Sequence, residues 1–355
     1  MANVFDYLEW RGDLSFAKSP WNEIDSLILA LICYVDFGDI WSDDDRKSHP
    51  TLLSAAKRYF KFHSGETAKA GLIVPSDVMS VTAKAAKTRR FGMLKIADFV
   101  NEINEEDETQ FCAMSFLSDD GSIFVVFRGT DDTIVGWKEN FNMSFMLPVP
   151  AQIKATEYLQ REMRSRRGDF YVSGHSKGGN LAVYAATMCP ENLKKRIRAV
   201  YNNDGPGFNR EFVESEEYVS IRDKVRTLVP ESSVVGMLLE HEEIYEVVKS
   251  NSTGLLQHNG FSWQLLGNKF IYLDEISEES KKIDETVKRW LSETEPEKRR
   301  AVVDSVYEIL TSDNIKTLTE LNSDKLKIIK AWGSLDAESR GYIIKILKAL
   351  IGRKK

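Results

Sequence analysis

Apolar positions change their spacing twice along the chain, and the three regimes predict three regions. Up to about residue 100 the spacing is helical. Ile24, Leu27, Ile28, Leu31 and Ile32 recur three and four residues apart behind Pro20, a residue suited to a helix's first turn, and Leu52, Ala55, Ala56, Tyr59 and Phe60 repeat the face. Val78 to Ala86 predicts a third helix. The longest apolar run here, Leu27 to Val35, is nine residues, about half of the ~20 that a membrane-spanning helix needs, so it predicts a buried helix.

From Phe111 the runs become β-rich. Phe111 to Phe116 and Ser122 to Phe127 flank Asp119-Asp120-Gly121, a strong hairpin signal. Strands then alternate with helices: helix at Ile153 to Arg166, strand at Phe170 to Ser173, helix at Lys177 to Cys189, and strands at Ile197 to Asn202 and Val225 to Val229. Such alternation predicts an α/β fold with a mainly parallel, helix-covered sheet.

From Glu275 the spacing is helical again and the sequence rich in charge. Ile283, Val287, Trp290 and Leu291 form one stripe, Val302, Val303, Val306, Ile309 and Leu310 a second, and Ile343, Ile344, Leu347 and Leu350 a third. The expected organisation is a helical N-terminal region (1–100) packed on the core, an α/β core (101–275) and a helical C-terminal extension (276–355). The stripes of the extension predict packing within the chain; the alternative is a face for a protein partner or a second copy.

Composition narrows the function classes. With 42% hydrophobic and 29% charged residues the chain has the balance of a globular protein. The net charge of −6 argues against nucleic-acid binding, which needs clustered Lys and Arg to neutralise phosphates. Cys33, Cys112 and Cys189 lack metal-ligand spacing and are odd in number, so the expectation is a reduced protein of the cytoplasm. Met1 to Asp6 has neither the basic nor the apolar part of a secretory leader, and none is expected.

The candidate chemistry lies between Asp169 and Ala186. A short apolar strand runs into Gly174-His175-Ser176-Lys177-Gly178, and an Ala-rich helix follows. A bare G-x-S-x-G is weak, with on the order of 0.1 chance matches in this length at ordinary glycine usage of ~7%. Its setting gives it force: a sharp strand-to-helix turn holds a nucleophile at strained angles, and small residues on both sides permit the approach. Ser176 is therefore the candidate nucleophile, and the amide of Lys177 a candidate oxyanion donor. A phosphate loop is excluded, because the G-x-x-x-x-G-K-[ST] order is absent. Upstream, Phe127-Arg128-Gly129-Thr130 ends a strand where a hydrolase would place its second oxyanion donor, and Thr130 is the candidate.

Together, Val126-Phe127-Arg128-Gly129-Thr130 with the following Trp137, then Val172-Ser173-Gly174-His175-Ser176-Lys177-Gly178-Gly179-Asn180-Leu181-Ala182, resemble the class 3 lipases. That family has Phe-Arg-Gly-(Thr/Ser) before Gly-His-Ser-Leu-Gly-Gly-Ala. The resemblance covers roughly residues 110 to 265. Asp6 to Phe16 and Asn203-Asp204-Gly205-Pro206-Gly207-Phe208 resemble a narrower group of bacterial lipase-like proteins, over about the first 270 residues. The resemblance implies the α/β-hydrolase fold and acyl-ester chemistry. Lys177 departs from the family's Leu and brings a charge near the site.

Five histidines make the base easy to narrow. In this fold the order is nucleophile, acid, base, which leaves His241 and His258. His258, in the loop-like Gly254-Leu255-Leu256-Gln257-His258-Asn259-Gly260, is preferred, because His241 sits among Glu240, Glu242 and Glu243 in what reads as a solvated acidic segment. His175 is expected to point away from the serine and serve packing. Two carboxylates remain nearly level as the acid: Glu231 follows the strand ending near Pro230, and Asp204, slightly preferred for its short side chain beside the flexible Gly205, follows the strand before it. In the class 3 pattern an Asp stands near Glu231, where this chain has Ser232 and Ser233.

The reading is a serine esterase or lipase-like hydrolase forming an acyl-enzyme on Ser176, with a small-molecule or lipid ester as substrate and neither metal nor organic cofactor. Thioesters or amides are a variant of it. The rival is a hydrolase-fold protein without turnover that binds or scaffolds through its helical ends.

Overall fold

Ten strands are defined in the computed structural model, which describes residues 1–63, 77–311, 315–317, 319–320 and 340–341. They are β1 (Lys95–Asn104), β2 (Thr109–Leu117), β3 (Ile123–Phe127), β4 (Phe170–His175), β5 (Ile197–Asn203), β6 (Val225–Pro230), β7 (Tyr245–Val248), β8 (Leu265–Leu266), β9 (Lys269–Phe270) and β10 (Tyr272–Leu273). Eight form one sheet in the order β1-β2-β3-β4-β5-β6-β7-β10, and β8 pairs with β9 apart from it. From β3 to β7 every neighbour is parallel, while β1, β2 and β10 join antiparallel at the edges. This is an α/β-hydrolase-like fold.

Both faces of the central strands are apolar, as strands covered on two sides must be. In β3, Phe124 and Val126 pack with Ile24, Leu27 and Ile28 of the helix Glu23–Ile32. Ile123, Val125 and Phe127 face the other way, onto Leu159 of the helix Pro150–Ser165 and Leu181 and Ala185 of the helix Lys177–Thr187. One residue of register shift would exchange these two sets.

The three N-terminal helices expected from periodicity lie at Glu23–Ile32, Leu52–Phe62 and Asp77–Ala85. The first begins after Pro20, because Asn22 caps it: its side chain accepts from the Ile24 and Asp25 amides, and Asp25 returns a bond to the Asn22 amide. The stretch Asp6 to Phe16 has a structural role. Tyr7 Oη donates to Asp25 Oδ1 at 2.9 Å, Arg90 grips both oxygens of the same buried carboxylate, and the Phe16 ring lies 4.1 Å from the guanidinium.

β1 and β7 are strands that the pattern does not predict. β1 occupies a stretch read as helical and crosses residue 100; it carries Asp98, Asn101, Glu102 and Asn104, and Asp98 pairs with Arg46 and Arg161. An edge strand with polar partners loses the alternation that would mark it. β7 follows the acidic segment around His241, and its four residues are too few to show a period.

The C-terminal extension forms the helices Glu278–Glu293 and Pro296–Thr311. The first is tied to the core by Ser280 Oγ, which donates to the Ser233 carbonyl. The second packs Tyr307 and Leu310 near Ile134 and Ile315, and its Asp304 pairs with Lys138 at 2.9 Å. The side chains of Ile283, Val287, Trp290 and Ile309, and the whole third stripe (Ile343, Ile344, Leu347 and Leu350), lie outside the described residues. Among the described residues, no helix is long and apolar enough to cross a membrane.

Candidate active site

β4 ends at His175, and the chain turns sharply at Ser176 into the helix Lys177–Thr187. Ser176 has φ 59° and ψ −134°, a conformation unfavourable for any residue with a Cβ. The turn holds because its neighbours are small: a Cβ on Gly174 would overlap the Gly178 carbonyl, and one on Gly178 would overlap the Phe127 carbonyl of β3. The Ser176 amide donates to the Asn203 carbonyl of β5 at 2.9 Å, while its half-buried hydroxyl takes no part in capping the helix. Ser176 thus stands at the C-terminal edge of the sheet, between the ends of β3 and β5.

From β5 comes Asp204, fully buried and itself at φ 55°. Its Oδ2 lies 2.6 Å from His258 Nδ1, and its Oδ1 accepts from Ser233 Oγ at 2.5 Å and the Gly236 amide at 3.1 Å. A buried carboxylate is costly unless its lone pairs are satisfied, and here three donors do so. With Nδ1 donating to Asp204, His258 presents Nε2 as an acceptor, which is the tautomer a general base needs. The side chain is 24% exposed, so it is open to solvent on one side.

Glu231 has no such partners. Its amide bonds to the Val248 carbonyl and its own carbonyl accepts from Ser277, and among the described residues its carboxylate has no hydrogen bond or ion pair. Ser233, where the class 3 pattern would lead one to seek the acid, instead buttresses Asp204.

Glu242 is exposed as expected, but the His241 side chain turns inward. Its Nδ1 lies 3.0 Å from Glu243 Oε1, its side chain is 6% exposed, and Tyr218 and Thr227 also donate to Glu243. Burial opposes ionisation of Glu243, but His241, Thr227 and Tyr218 outweigh it and hold the carboxyl down at about 2. This couple is sequestered, and it shares no hydrogen bond with Ser176, Asp204 or His258.

Thr130 is buried just beyond β3, and Gly129 before it lies so close to the elbow that an added Cβ would come within 3.0 Å of Ser176 Cβ. Asn140 Nδ2, on the helix Ile134–Asn142, donates to Thr130 Oγ1 at 2.6 Å, which leaves the Thr130 hydroxyl hydrogen free to donate elsewhere. Lys177 is the first residue of its helix, so its amide has no acceptor within that helix. The charge of Lys177 does not reach solvent: the side chain is 1% exposed, with Nζ 2.7 Å from Glu139 Oε2 and 2.6 Å from the Gln110 carbonyl. The expected charge near the site is therefore a neutralised internal pair.

His175 does more than fill space. Its Nε2 lies 2.8 Å from the His258 carbonyl oxygen, its Nδ1 3.1 Å from Tyr34 Oη, and the two imidazole centroids are 4.6 Å apart. Burial, reinforced by the neighbouring His258, pushes its pKa down to about 3, so the ring is neutral at pH 7. Tyr34, Ser233, Gly236 and Asn140 were invisible to motif reasoning, although the serine pair at 232–233 was conspicuous as a departure. Among the described residues, no group of three or more His, Cys, Asp or Glu is arranged to hold a metal ion.

Comparison with solved structures finds similarity to M37 lipase, with a TM-score of 0.38 and 15% identity over 62% of this chain and 70% of that one. A triacylglycerol lipase from Penicillium expansum is similar at a TM-score of 0.31 and 10% identity, over 48% of this chain and 73% of that one. No curated protein matches the chain. The model of the Mbeg1-like family matches residues 85–308, from the segment before β1 through most of the second C-terminal helix. That match spans more than half of the sequence and includes the elbow, Thr130, Asp204 and His258: the chain belongs to the Mbeg1-like family.

Proposed function

We propose that the protein is a serine hydrolase of carboxylic esters, lipid esters among them, working through an acyl-enzyme on Ser176. The observation that carries this reading is the 2.6 Å couple of His258 Nδ1 and buried Asp204, set in the loops beside a strained serine elbow. Ser176 Oγ attacks the ester carbonyl while His258 Nε2 takes its proton. The amides of Thr130 and Lys177, with the Thr130 hydroxyl, stabilise the oxyanion. Collapse of the tetrahedral intermediate expels the alcohol, protonated by His258, and water then repeats the sequence on the acyl-enzyme. Asp204 fixes the imidazole tautomer and stabilises the imidazolium. Pairing of Lys177 with Glu139 removes the electrostatic objection to an apolar acyl chain, and Leu256, two residues before His258, is 70% exposed and available to it.

One observation favours the non-catalytic rival. His258 engages Asp204 and His175, and among the described residues no hydrogen bond links it to Ser176 Oγ. Catalytic hydrogen bonds are often loose before substrate arrives, so the proposal stands on the rest of the geometry. A panel of activated esters, thioesters and anilides of matched acyl length tests it. Esters are expected to be turned over fastest, with Ser176→Ala slower by on the order of 10⁴- to 10⁶-fold. Equal turnover by wild type and Ser176→Ala would refute the reading.

A further inference from the structure

We propose that His175 is a positioning residue: held by Tyr34 in its Nε2–H tautomer, it locks the main chain of the base-bearing loop at His258. The proposal rests on His258 being the base. Its logic begins at an acceptor. The His258 carbonyl oxygen can only accept, so the 2.8 Å contact requires a hydrogen on His175 Nε2. A second hydrogen, on Nδ1, would make an imidazolium, and burial disfavours that form down to about pH 3. Nδ1 therefore carries a lone pair, and the hydroxyl of Tyr34, 3.1 Å away, must be the donor.

A directed chain results, running from Tyr34 O–H to His175 Nδ1, from His175 Nε2–H to the His258 carbonyl, and from His258 Nδ1–H to Asp204. Asp204 fixes one end of the base; His175 fixes the backbone that carries it. The loop needs this support, because His258 ends a five-residue 3₁₀ turn rather than a strand or long helix. A second anchor lies one residue earlier, where the Gln257 carbonyl accepts from Trp263 Nε1 at 2.9 Å. The turn is thus held at two adjacent carbonyls, by Trp263 at Gln257 and by His175 at His258.

Two further observations point the same way. Tyr34 follows the helix Glu23–Ile32, far in sequence from the elbow, and its hydroxyl enters only because Gly129 has no side chain: a Cβ there would overlap Tyr34 Oη. The glycine of Phe127-Arg128-Gly129-Thr130 thus admits the phenol as well as the elbow. The two imidazoles also lie close together, with centroids 4.6 Å apart and planes tilted by 32°. A cationic His175 at that distance would oppose the imidazolium that forms on His258 during acyl transfer, so the neutral tautomer protects the base.

The test is ¹⁵N NMR of the histidine rings in the full chain between pH 5 and 9, with assignment by single variants, beside steady-state kinetics on an activated ester. His175 is expected to show the Nε2–H pattern at every pH, and in Tyr34→Phe its Nδ1 signal is expected to move as the donor is lost. Tyr34→Phe and His175→Gln are expected to lower kcat about tenfold to a hundredfold, the scale of a small misplacement of a catalytic group, with KM nearly unchanged and a displaced pH midpoint in kcat/KM. Rates are taken per folded protein, so that instability alone does not imitate the effect. An Nδ1–H tautomer, a His175 that titrates near pH 6.5, or wild-type kcat and pH profile in both variants would overturn the proposal. Should the wild type turn over no ester, the hydrolase reading fails, and the NMR arm still decides the state of His175.

Discussion

Asp204 and Glu231 are nearly level in the sequence, because each follows a strand of the sheet and chain order admits both. They differ in what surrounds them. Asp204 has Ser233, the Gly236 amide and His258 around one buried carboxylate, whereas Glu231 contributes its main chain alone. Replacing the acid by its amide keeps the shape and removes the charge that selects the imidazole tautomer. Asp204→Asn is therefore expected to lower kcat by about 10⁴-fold on an activated ester, and Glu231→Gln to stay within about twofold, as measured by initial rates. The reverse pattern would move the acid to β6. At this scale the serine was legible because the elbow writes its steric needs into adjacent glycines. Tyr34 and His175 were not, since their contact joins residues 141 positions apart and leaves no local period.

Among the elements, the helix Lys177–Thr187 carries both the elbow and an internal charge. Lys177 stands where the class 3 pattern has Leu, and it reaches Glu139, which also accepts from the Gln110 and Ala151 amides at 3.1 and 2.8 Å. The pair therefore knits four elements: the helix after the elbow, the helix Ile134–Asn142, β2 and the helix Pro150–Ser165. Removing one partner leaves a buried charge unpaired, which costs about 3–5 kcal/mol, whereas replacing both together is often nearly neutral. Lys177→Met is expected to destabilise by that amount in urea unfolding, and Lys177→Met with Glu139→Gln to recover part of it, because Gln removes the unpaired charge and keeps an acceptor for one of the two amides. Additive losses would contradict the coupling. Sequence reading found the helices because apolar stripes repeat every turn. β1 escaped it for the opposite reason: Asp98 is held by arginines from two other segments, and no local pattern records such partners.

Taken whole, the molecule places its candidate site at the C-terminal edge of the parallel strands, where loops from β3, β4 and β5 and the turn before β8 converge. The N-terminal helices are part of that arrangement. One apolar cluster runs from Val4 through Leu27 and Phe124 to Trp263 and Phe270, the Leu265 amide donates to the Ala2 carbonyl, and Tyr34 reaches the elbow. The alternation of strand and helix made the layered α/β architecture readable, but not this wrapping, which depends on pairings between the two ends of the sheet region. The central claim is that Ser176 is an activated nucleophile, and a fluorophosphonate probe measures that directly, because it forms a covalent bond with an activated serine and spares ordinary hydroxyls. Intact-mass and peptide analysis after labelling is expected to find one adduct, on Ser176, lost in Ser176→Ala and formed far more slowly in His258→Ala. An unlabelled wild type, or an adduct that survives Ser176→Ala, would contradict the account.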